Sequence, residues 1–228
     1  MARAKEPLKL MVSSSVYGIE DYLDQIFALL GQFGYEVWMS HKGTIPIYPN
    51  QTALESCLTA VENCDLFLSI ITPRYGSGVV QDQLSITHQE LLKAIEKKRP
   101  RWILAHNNVI FARSMFRKLG AKDGKQRTEL LEKLGFSDEK SMKALTKREE
   151  LVIDDFRVID MYDTAIRNDL VVYQDRKGNW VQKYSDDRDI NLFATFQFSR
   201  YRQVEGYLNE QLKDVKGLTA RVSDGEKK

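Results

Sequence analysis

The chain of 228 residues is long enough for one large domain, or for a compact domain with an extension, and its composition (43% hydrophobic, 29% charged) is that of an ordinary globular protein. Its 34 basic and 32 acidic residues leave a formal net charge of +2, so composition gives no reason to expect nucleic acid or an anionic membrane as a partner. No apolar run approaches the roughly 20 residues of a membrane span, and the N-terminus lacks the apolar core of a signal peptide, so we expect a cytoplasmic protein without membrane contact.

The first hundred residues alternate between short apolar segments and segments with helical periodicity. The strands and helices expected from this pattern are, in chain order, 8–12, 18–33, 35–39, 53–61, 66–71, 86–97 and 101–105. The segment 66–71 is too apolar to face water on either side, which is typical of a central strand in a parallel sheet. Strands that alternate with helices in this way predict an α/β fold with a doubly wound, mainly parallel sheet of the flavodoxin type.

After residue 107 the pattern changes, and we predict a mostly helical extension over 108–214 whose role the sequence does not reveal. Helices are expected at 108–119, around 130–131, at 142–145, at 149–168 and from 189 to about 212. A β-hairpin is expected from strands at 170–173 and 179–183, joined by a turn that contains Gly178. The polar tail, 215–228, is expected to be disordered. The predicted domains are therefore 1–107 and 108–214.

Glu90 is the strongest candidate for a catalytic residue. It follows the third strand, a polar loop and about one helical turn, and open α/β sheets build their sites at this end of their strands. Ser85 or Thr87 is expected to cap the helix that carries Glu90. The alternative is an ordinary surface carboxylate, because Lys93 lies three residues further on and offers a helix-surface pair.

Residues after the first and third strands are candidates for ligand binding. Ser13, Ser14 and Ser15 precede the first helix, where hydroxyl and backbone N–H groups hold phosphate or ribose, although a plain helix cap explains them equally well. Gly76 serves either a ligand-binding turn or simply a turn with positive φ. The predicted substrate-binding residues are Ser13, Ser14, Ser15, Tyr17, Tyr75, Gly76, Ser77 and Ser85.

Other conspicuous residues are interpreted as structural. His88 does not share a helix face with Glu90, and we expect it in a loop or at the surface. Cys57 lies on an apolar helical stripe and is expected in the core. The two cysteines and three histidines offer no metal-ligand pattern, so neither a metal nor a cofactor is expected. The basic run 97–101 is interpreted as a solvated helix end, so nucleic acid is not an expected partner.

Several short motifs of the first hundred residues occur in an order and spacing that resemble a known family. They lie at 12–17 (Val-Ser-Ser-Ser-Val-Tyr), 34–37, 55–58, 64–67, 74–77 (Arg-Tyr-Gly-Ser), 85–90 (Ser-Ile-Thr-His-Gln-Glu) and 98–100. They are similar to bacterial TIR-like domains of unknown function, within the group that joins TIR domains and nucleoside deoxyribosyltransferase-like folds. In catalytic members of that group, a Glu on the helix after the third strand takes part in breaking an N-glycosidic bond. The resemblance therefore implies this role for Glu90, with NAD or a related nucleotide as substrate.

The sequence leaves three functions open. The first is an NAD glycohydrolase-like enzyme in bacterial defence or stress signalling, and the resemblance favours it. The second is a non-enzymatic sensor that binds a nucleotide and assembles as a homo-oligomer or with a partner effector protein. The third is nucleoside deoxyribosyl transfer, for which Asp82 is the second carboxylate in range of Glu90.

Overall fold

The computed structural model of the protein describes residues 6–76, 84–136 and 153–200, together with 203, 205–207 and 210. Its centre is a five-stranded sheet in the order β2-β1-β3-β4-β5, and every neighbouring pair of strands runs parallel. The strands are β1 (Lys9–Ser14), β2 (Glu36–Trp38), β3 (Leu66–Ile71), β4 (Arg101–His106) and β5 (Val181–Tyr184). The predicted doubly wound α/β fold is therefore confirmed, and the strand order is the flavodoxin-like one, which reverses between β1 and β3.

Helices cover both faces of the sheet. They are α1 (Glu20–Gln32), α2 (Ala53–Asn63), α3 (Ile86–Glu96), α4 (Asn107–Lys118), α5 (Gly124–Lys133), α6 (Arg157–Ala165) and α7 (Asp187–Phe198). One core lies between the sheet and α1 and α7, and the other lies between the sheet and α2, α3, α4 and α6. Within the part of the chain that the structure describes, no helix has both the length and the apolar character to cross a membrane.

The central strand β3 is buried at all of its positions, as its apolar sequence predicts. Its side chains alternate, so Phe67 and Ile71 pack under α2 and α3, while Leu68 packs toward α1. The register pairs Ser13 of β1 with Ser69 of β3. Because alternation places Ser69 on the same side as Phe67, the two serine hydroxyls lie side by side under α2 and α3.

The predicted β-hairpin is wrong. Residues 170–172 form no strand, and Tyr173–Asp175 is a short 3-10 turn. The strand β5 pairs with β4 instead of with the strand predicted just before it in the sequence. The reason is tertiary, because Tyr184 of β5 is 2% exposed and its hydroxyl donates to the carbonyl of Ile71 at the end of β3. Burial against the sheet thus outweighs the local turn signal.

The sheet also crosses the predicted domain boundary after residue 107. β5 is its fifth strand, and α7 lies against α1 on the outer face. Phe198, at the end of α7, is fully buried, and its carbonyl accepts a hydrogen bond from the Tyr35 hydroxyl at 3.1 Å. The boundary itself stays a prediction, but the extension supplies part of the α/β core.

The helix predicted over 149–168 is shorter than expected. Of the described residues, 153–155 are not helical and the helix α6 begins at Arg157. The carboxylate of Asp154 accepts the backbone N–H of Tyr75, and that of Asp155 accepts the N–H of Arg157. Aspartates that bond backbone groups in this way compete with helix formation. The helix predicted at 142–145 and the tail 215–228 lie outside the described residues.

The start of α2 provides a test of local stability. Thr52 is its N-cap and forms a capping box with Glu55, in which each side chain accepts the other residue's backbone N–H. We expect Thr52→Ala to lower the free energy of unfolding by about 1 kcal/mol. Urea unfolding measures this, with Thr195→Ala as the control, because Thr195 is an exposed residue in the interior of α7. An equal loss in both variants would contradict the role of the cap.

Candidate functional site

Glu90 lies on the inner face of α3, and its side chain is only 4% exposed. Lys93, the surface partner considered for it, pairs instead with Glu62 of α2 at 2.9 Å and with Glu96 at 3.4 Å. The alternative of an ordinary surface carboxylate is therefore wrong. Sequence position alone does not distinguish the two cases, because burial of Glu90 depends on how α3 rotates against the sheet.

The carboxyl group of Glu90 is held by two side chains from neighbouring elements. The hydroxyl of Ser13 donates to Glu90 Oε2 at 2.5 Å, and the thiol of Cys57 on α2 supplies a second hydrogen bond. Burial raises the pKa of Glu90 to about 7, and the hydrogen bonds from Ser13 and Cys57 oppose that rise. Near neutral pH this carboxyl therefore changes readily between its neutral and charged forms.

Cys57 is buried under α2, as predicted from its helical stripe. Burial first, and the neighbouring Glu90 second, raise the pKa of its thiol to about 12. Because this pKa is far above physiological pH, Cys57 stays a neutral thiol that can donate a hydrogen bond. It is not a reactive nucleophile, since only the thiolate is one.

Of the three serines, two lie within β1 and not in the loop after it. The parallel ladder with β3 continues through Ser13 and Ser14, so these two point to opposite faces of the sheet. Ser13 reaches Glu90, while the hydroxyl of Ser14 donates to the carbonyls of Ile70 and Ser15. The hydroxyl of Ser15 lies 2.5 Å from that of Thr72, in the turn that follows β3.

The three serines do not cap the first helix, because the N-cap of α1 is Ile19 and no side chain caps it. Tyr17 is 67% exposed, and none of its described contacts is with Glu90. The alternative of a plain serine cap is therefore wrong, and the serines connect β1 to β3 and α3.

The turn 72–76 after β3 closes over the same corner. Gly76 has φ +93°, and a Cβ built on it would lie 3.4 Å from both the Ser15 Cβ and the Thr87 Oγ1. A side chain at this position would be strained because of the positive φ. Tyr75 is buried at 2% exposure, and Ser77 lies outside the described residues. Ser85 caps α3 by accepting the His88 N–H at 3.3 Å, as predicted for one residue of this pair.

The prediction for His88 is wrong, because the side chain is neither in a loop nor at the surface. It lies in α3 and is 3% exposed, with Nδ1 2.9 Å from the Tyr75 hydroxyl and Nε2 3.1 Å from the Thr164 hydroxyl. Burial, followed by the charge of Arg157, lowers its pKa to about 4. The missed signal is the period of the apolar Leu91 and Ala94, which extends the buried face of α3 back to residue 88.

Three contributors from the second half of the chain were not predicted at all. Asp154, Arg157 and Thr164 contact Tyr75 or His88, although they lie some 76 to 82 residues away in sequence. No local pattern marks such residues, because their contacts depend on how α6 packs against α3.

The predicted site residues therefore converge in part. Ser13, Ser15, Gly76 and Glu90 meet where the strand order reverses, between the carboxyl ends of β1 and β3. Ligands of open α/β sheets bind at this switch point. The Ser69 hydroxyl beside Ser13 is buried and has no hydrogen-bond partner among the described residues. Within the same part of the chain, no cluster of three or more His, Cys, Asp or Glu side chains is placed to hold a metal.

A cavity of about 470 Å³ lies apart from this corner, at the opposite side of α3. It contains none of the predicted site residues, and its carboxylates already have partners. Asp163 pairs with Arg113, Asp160 with Arg127 and Asp169 with Arg167. The cavity lies at the junction of α3, α5 and α6, and ion pairs within the protein already neutralise these carboxylates.

Comparisons with known proteins add one family. A family model described as "Domain of unknown function (DUF4062)" matches residues 9–171, from β1 through α6. No curated protein matches. Among solved structures, the TIR domains of the activated Roq1 resistosome directly recognizing the pathogen effector XopQ are similar, with 11% identity and a TM-score of 0.37 over 91% of this chain and 99% of that chain. The sequence resemblance is thus confirmed in its coarser form, a family of domains of unknown function.

Proposed function

The chain belongs to the DUF4062 family, and from the site that its domain builds we propose that it binds a nucleotide such as NAD and cleaves the N-glycosidic bond with Glu90. The observation that carries the proposal is the Ser13–Glu90 hydrogen bond of 2.5 Å at the switch point of the sheet. A carboxyl held there by a strand-end hydroxyl has a fixed position, and fixed position is what electrostatic catalysis requires. The resemblance to TIR-like domains supports the choice of NAD.

The proposed reaction needs one carboxylate and one water molecule. The bond between ribose C1 and the nicotinamide nitrogen breaks, and its electron pair stays on the nitrogen. Positive charge develops on the ribosyl centre, where a charged Glu90 would stabilise it, as carboxylates do in O-glycoside hydrolysis. Water then adds to C1 and releases a proton. A pKa of about 7 leaves a substantial charged fraction of Glu90 for this step at neutral pH.

A second candidate function is nucleotide sensing without cleavage, and the burial of Glu90 favours it. At 4% exposure the carboxyl touches a substrate only after neighbouring side chains move, whereas a sensor needs no such access. In this case the protein would act through assembly with itself or with an effector protein. Binding of NAD in calorimetry, without nicotinamide release by monomer or oligomer, would favour the sensor.

Deoxyribosyl transfer is the third candidate. Asp82, the second carboxylate considered for it, lies outside the described residues. An exchange assay with a deoxynucleoside and a free base distinguishes this reaction from NAD cleavage. The proposed role in bacterial defence or stress signalling rests on the analogy with TIR domains.

The strand end of β1 offers a matched pair of variants for testing the proposal. Ser13→Ala removes the donor to Glu90, while Ser14→Ala removes a hydroxyl whose hydrogen bonds, among the described residues, are to the main-chain carbonyls of residues 70 and 15. We expect Ser13→Ala to reduce kcat for nicotinamide release about tenfold to a hundredfold, since a lost buried hydrogen bond costs about 1–3 kcal/mol. It should also move the pH profile upward, because the Ser13 bond lowers the pKa of Glu90.

Chromatographic measurement of nicotinamide from NAD, with wild type and both variants, gives the result. Ser14→Ala should remain within about twofold of wild type, because its hydroxyl lies on the other face of the sheet. No release by wild type at any oligomeric state would contradict cleavage. Equal losses in both variants would contradict the role given to the Ser13–Glu90 bond.

A further inference from the structure

A segment far along the chain holds the corner that contains Glu90. This segment, residues 153–165 with α6, is called the clamp here. Its Asp154 carboxylate accepts the Tyr75 N–H at 2.9 Å, and the Asp154 N–H donates to the carbonyl of Pro73 at 3.3 Å. The guanidinium of Arg157 lies over the Tyr75 ring, 5.0 Å from its centroid. Backbone and side chain of the turn 72–76 are thus both tied to the clamp.

A second tie runs through His88, on the helix that carries Glu90. The hydroxyl of Thr164 donates to the carbonyl of Asp160 at 2.9 Å, so toward His88 Nε2, 3.1 Å away, its oxygen accepts. His88 therefore carries its proton on Nε2, and Nδ1 accepts the Tyr75 hydroxyl at 2.9 Å. The hydrogen bonds run in one direction, from Tyr75 through His88 to Thr164.

The arrangement distinguishes this network from ordinary core packing. Tyr75, His88 and Ser85, the N-cap of α3, are all buried, and both ring nitrogens of His88 have a hydrogen-bond partner. Breaking either bond would leave a buried donor or acceptor of His88 without a partner, which is costly. The network thus connects the turn 72–76, α3 and α6.

We propose that Asp154 and Thr164 are positioning residues of the candidate site, which hold the turn 72–76 and α3 in place so that Glu90 meets Ser13. The identity of the ligand rests on the proposed function, whereas the clamp itself does not. Neither residue approaches Glu90 directly, so both act through Tyr75 and His88. The clamp also gives residues beyond the predicted core domain a role, and the family match 9–171 includes them.

Three variants and one matched control test the clamp in the full chain. Asp154→Ala removes the acceptor of the Tyr75 N–H, and Asp154→Asn keeps an acceptor oxygen in place. Thr164→Val removes the acceptor of His88 Nε2. Thr128→Val is the control, because its hydroxyl also donates to the carbonyl four residues earlier, at 3.1 Å, but in the exposed part of α5. Amide exchange of the peptide that contains Tyr75, nitrogen NMR of His88, and NAD kinetics are measured for each.

We expect Asp154→Ala to accelerate exchange of the Tyr75 amide about tenfold or more, since a lost buried hydrogen bond has this magnitude. Asp154→Asn should restore most of the protection. Thr164→Val should change the Nε2 signal of His88, while Thr128→Val leaves both readouts at wild-type values. In NAD cleavage, kcat should fall about tenfold in Asp154→Ala and Thr164→Val with KM nearly unchanged, because a positioning role affects chemistry more than binding.

Three other outcomes would each contradict one part of the proposals. Wild-type exchange at Tyr75 in Asp154→Ala together with a wild-type His88 signal in Thr164→Val would overturn the clamp. Faster exchange with unchanged kcat and KM, in a protein that cleaves NAD, would overturn the positioning role and leave a structural one. If wild type neither binds nor cleaves NAD, the proposed function fails, and the exchange and NMR results alone decide whether the clamp holds the turn.

Discussion

Replacement of Glu90 by glutamine is expected to reduce kcat/KM for nicotinamide release from NAD about a thousandfold, the magnitude usual for losing a catalytic acid–base or electrostatic group. Glutamine keeps the size of the side chain and an oxygen that accepts from Ser13, whose hydroxyl lies 2.5 Å from Glu90 Oε2. It removes the negative charge that would stabilise the ribosyl centre. The wild-type rate should rise with pH through about 7, as Glu90 ionises, and the variant should lack this rise.

The matched control is Glu96→Gln, on the same helix. Glu96 is 61% exposed, and within the described part of the chain it forms ion pairs with Lys93 and Lys97. Its variant should keep the wild-type rate, because the charge that it removes is at the surface. A thousandfold loss confined to Glu90→Gln supports the catalytic role. Equal release by wild type and Glu90→Gln would remove Glu90 from the reaction.

The second large effect concerns stability as a function of pH. The pKa of Glu90 is about 7 in the folded protein against an ordinary value of 4.5, so between these pH values the folded state keeps a proton that the unfolded state releases. The stability that the neutral Glu90 contributes is therefore fully present below pH 4.5 and is lost as pH rises to about 7. The loss amounts to about 3 kcal/mol. Glu90→Gln has no proton to release and should not show it.

His88 changes stability in the opposite sense. Its pKa is lowered from 6.5 to about 4, so between these values the unfolded state binds a proton that the folded state excludes. Stability from the neutral His88 is lost as pH falls from 6.5 to 4, again by about 3 kcal/mol. From pH 4.5 to 6.5 the effects of Glu90 and His88 nearly cancel in wild type. The cancellation hides both groups unless one of them is removed.

Urea unfolding of wild type, Glu90→Gln and His88→Gln at several values between pH 4.5 and 7.5 separates the two. The free energy of unfolding of Glu90→Gln should rise with pH relative to wild type, by about 3 kcal/mol over the interval. His88→Gln should show the reverse slope, falling with pH because only the Glu90 effect remains. Parallel curves for wild type and Glu90→Gln would mean that the carboxyl is charged in the folded protein throughout, in contradiction to its burial.

Much of the fold follows from local sequence, and so does part of the candidate site. Neighbouring residues alone determine the apolar run of β3, the periodicity of α1 and α2, and the caps Thr52 and Ser85. Glu90 is recognisable because a carboxylate after a central strand lies near the switch point of any such sheet. Its actual burial and its partner Ser13, 77 positions away, depend on the packing of α3 on β1.

What could not be predicted shares one physical cause, which is dependence on distant contacts. His88 is a polar residue in the first turn of α3, so local sequence predicts it at the surface. It is buried because Tyr75 and Thr164 form hydrogen bonds with its ring nitrogens. Local sequence predicts β5 as one strand of a hairpin, whereas in the structure it pairs with the edge of β4. In both cases a local preference worth little is outweighed by burial elsewhere in the chain.

The late position of β5 in the chain bears on how the protein folds as it is synthesised. Until Val181 leaves the ribosome, β4 has an open edge and α1 has no α7 to cover it. An open strand edge invites pairing with other chains. A fragment cut to the family match, 9–171, would keep Glu90, Ser13 and the clamp but lack this edge strand and its covering helix. The segment that defines the family is thus shorter than the segment that completes the sheet, and recombinant fragments are better ended after Phe198 than at the family boundary.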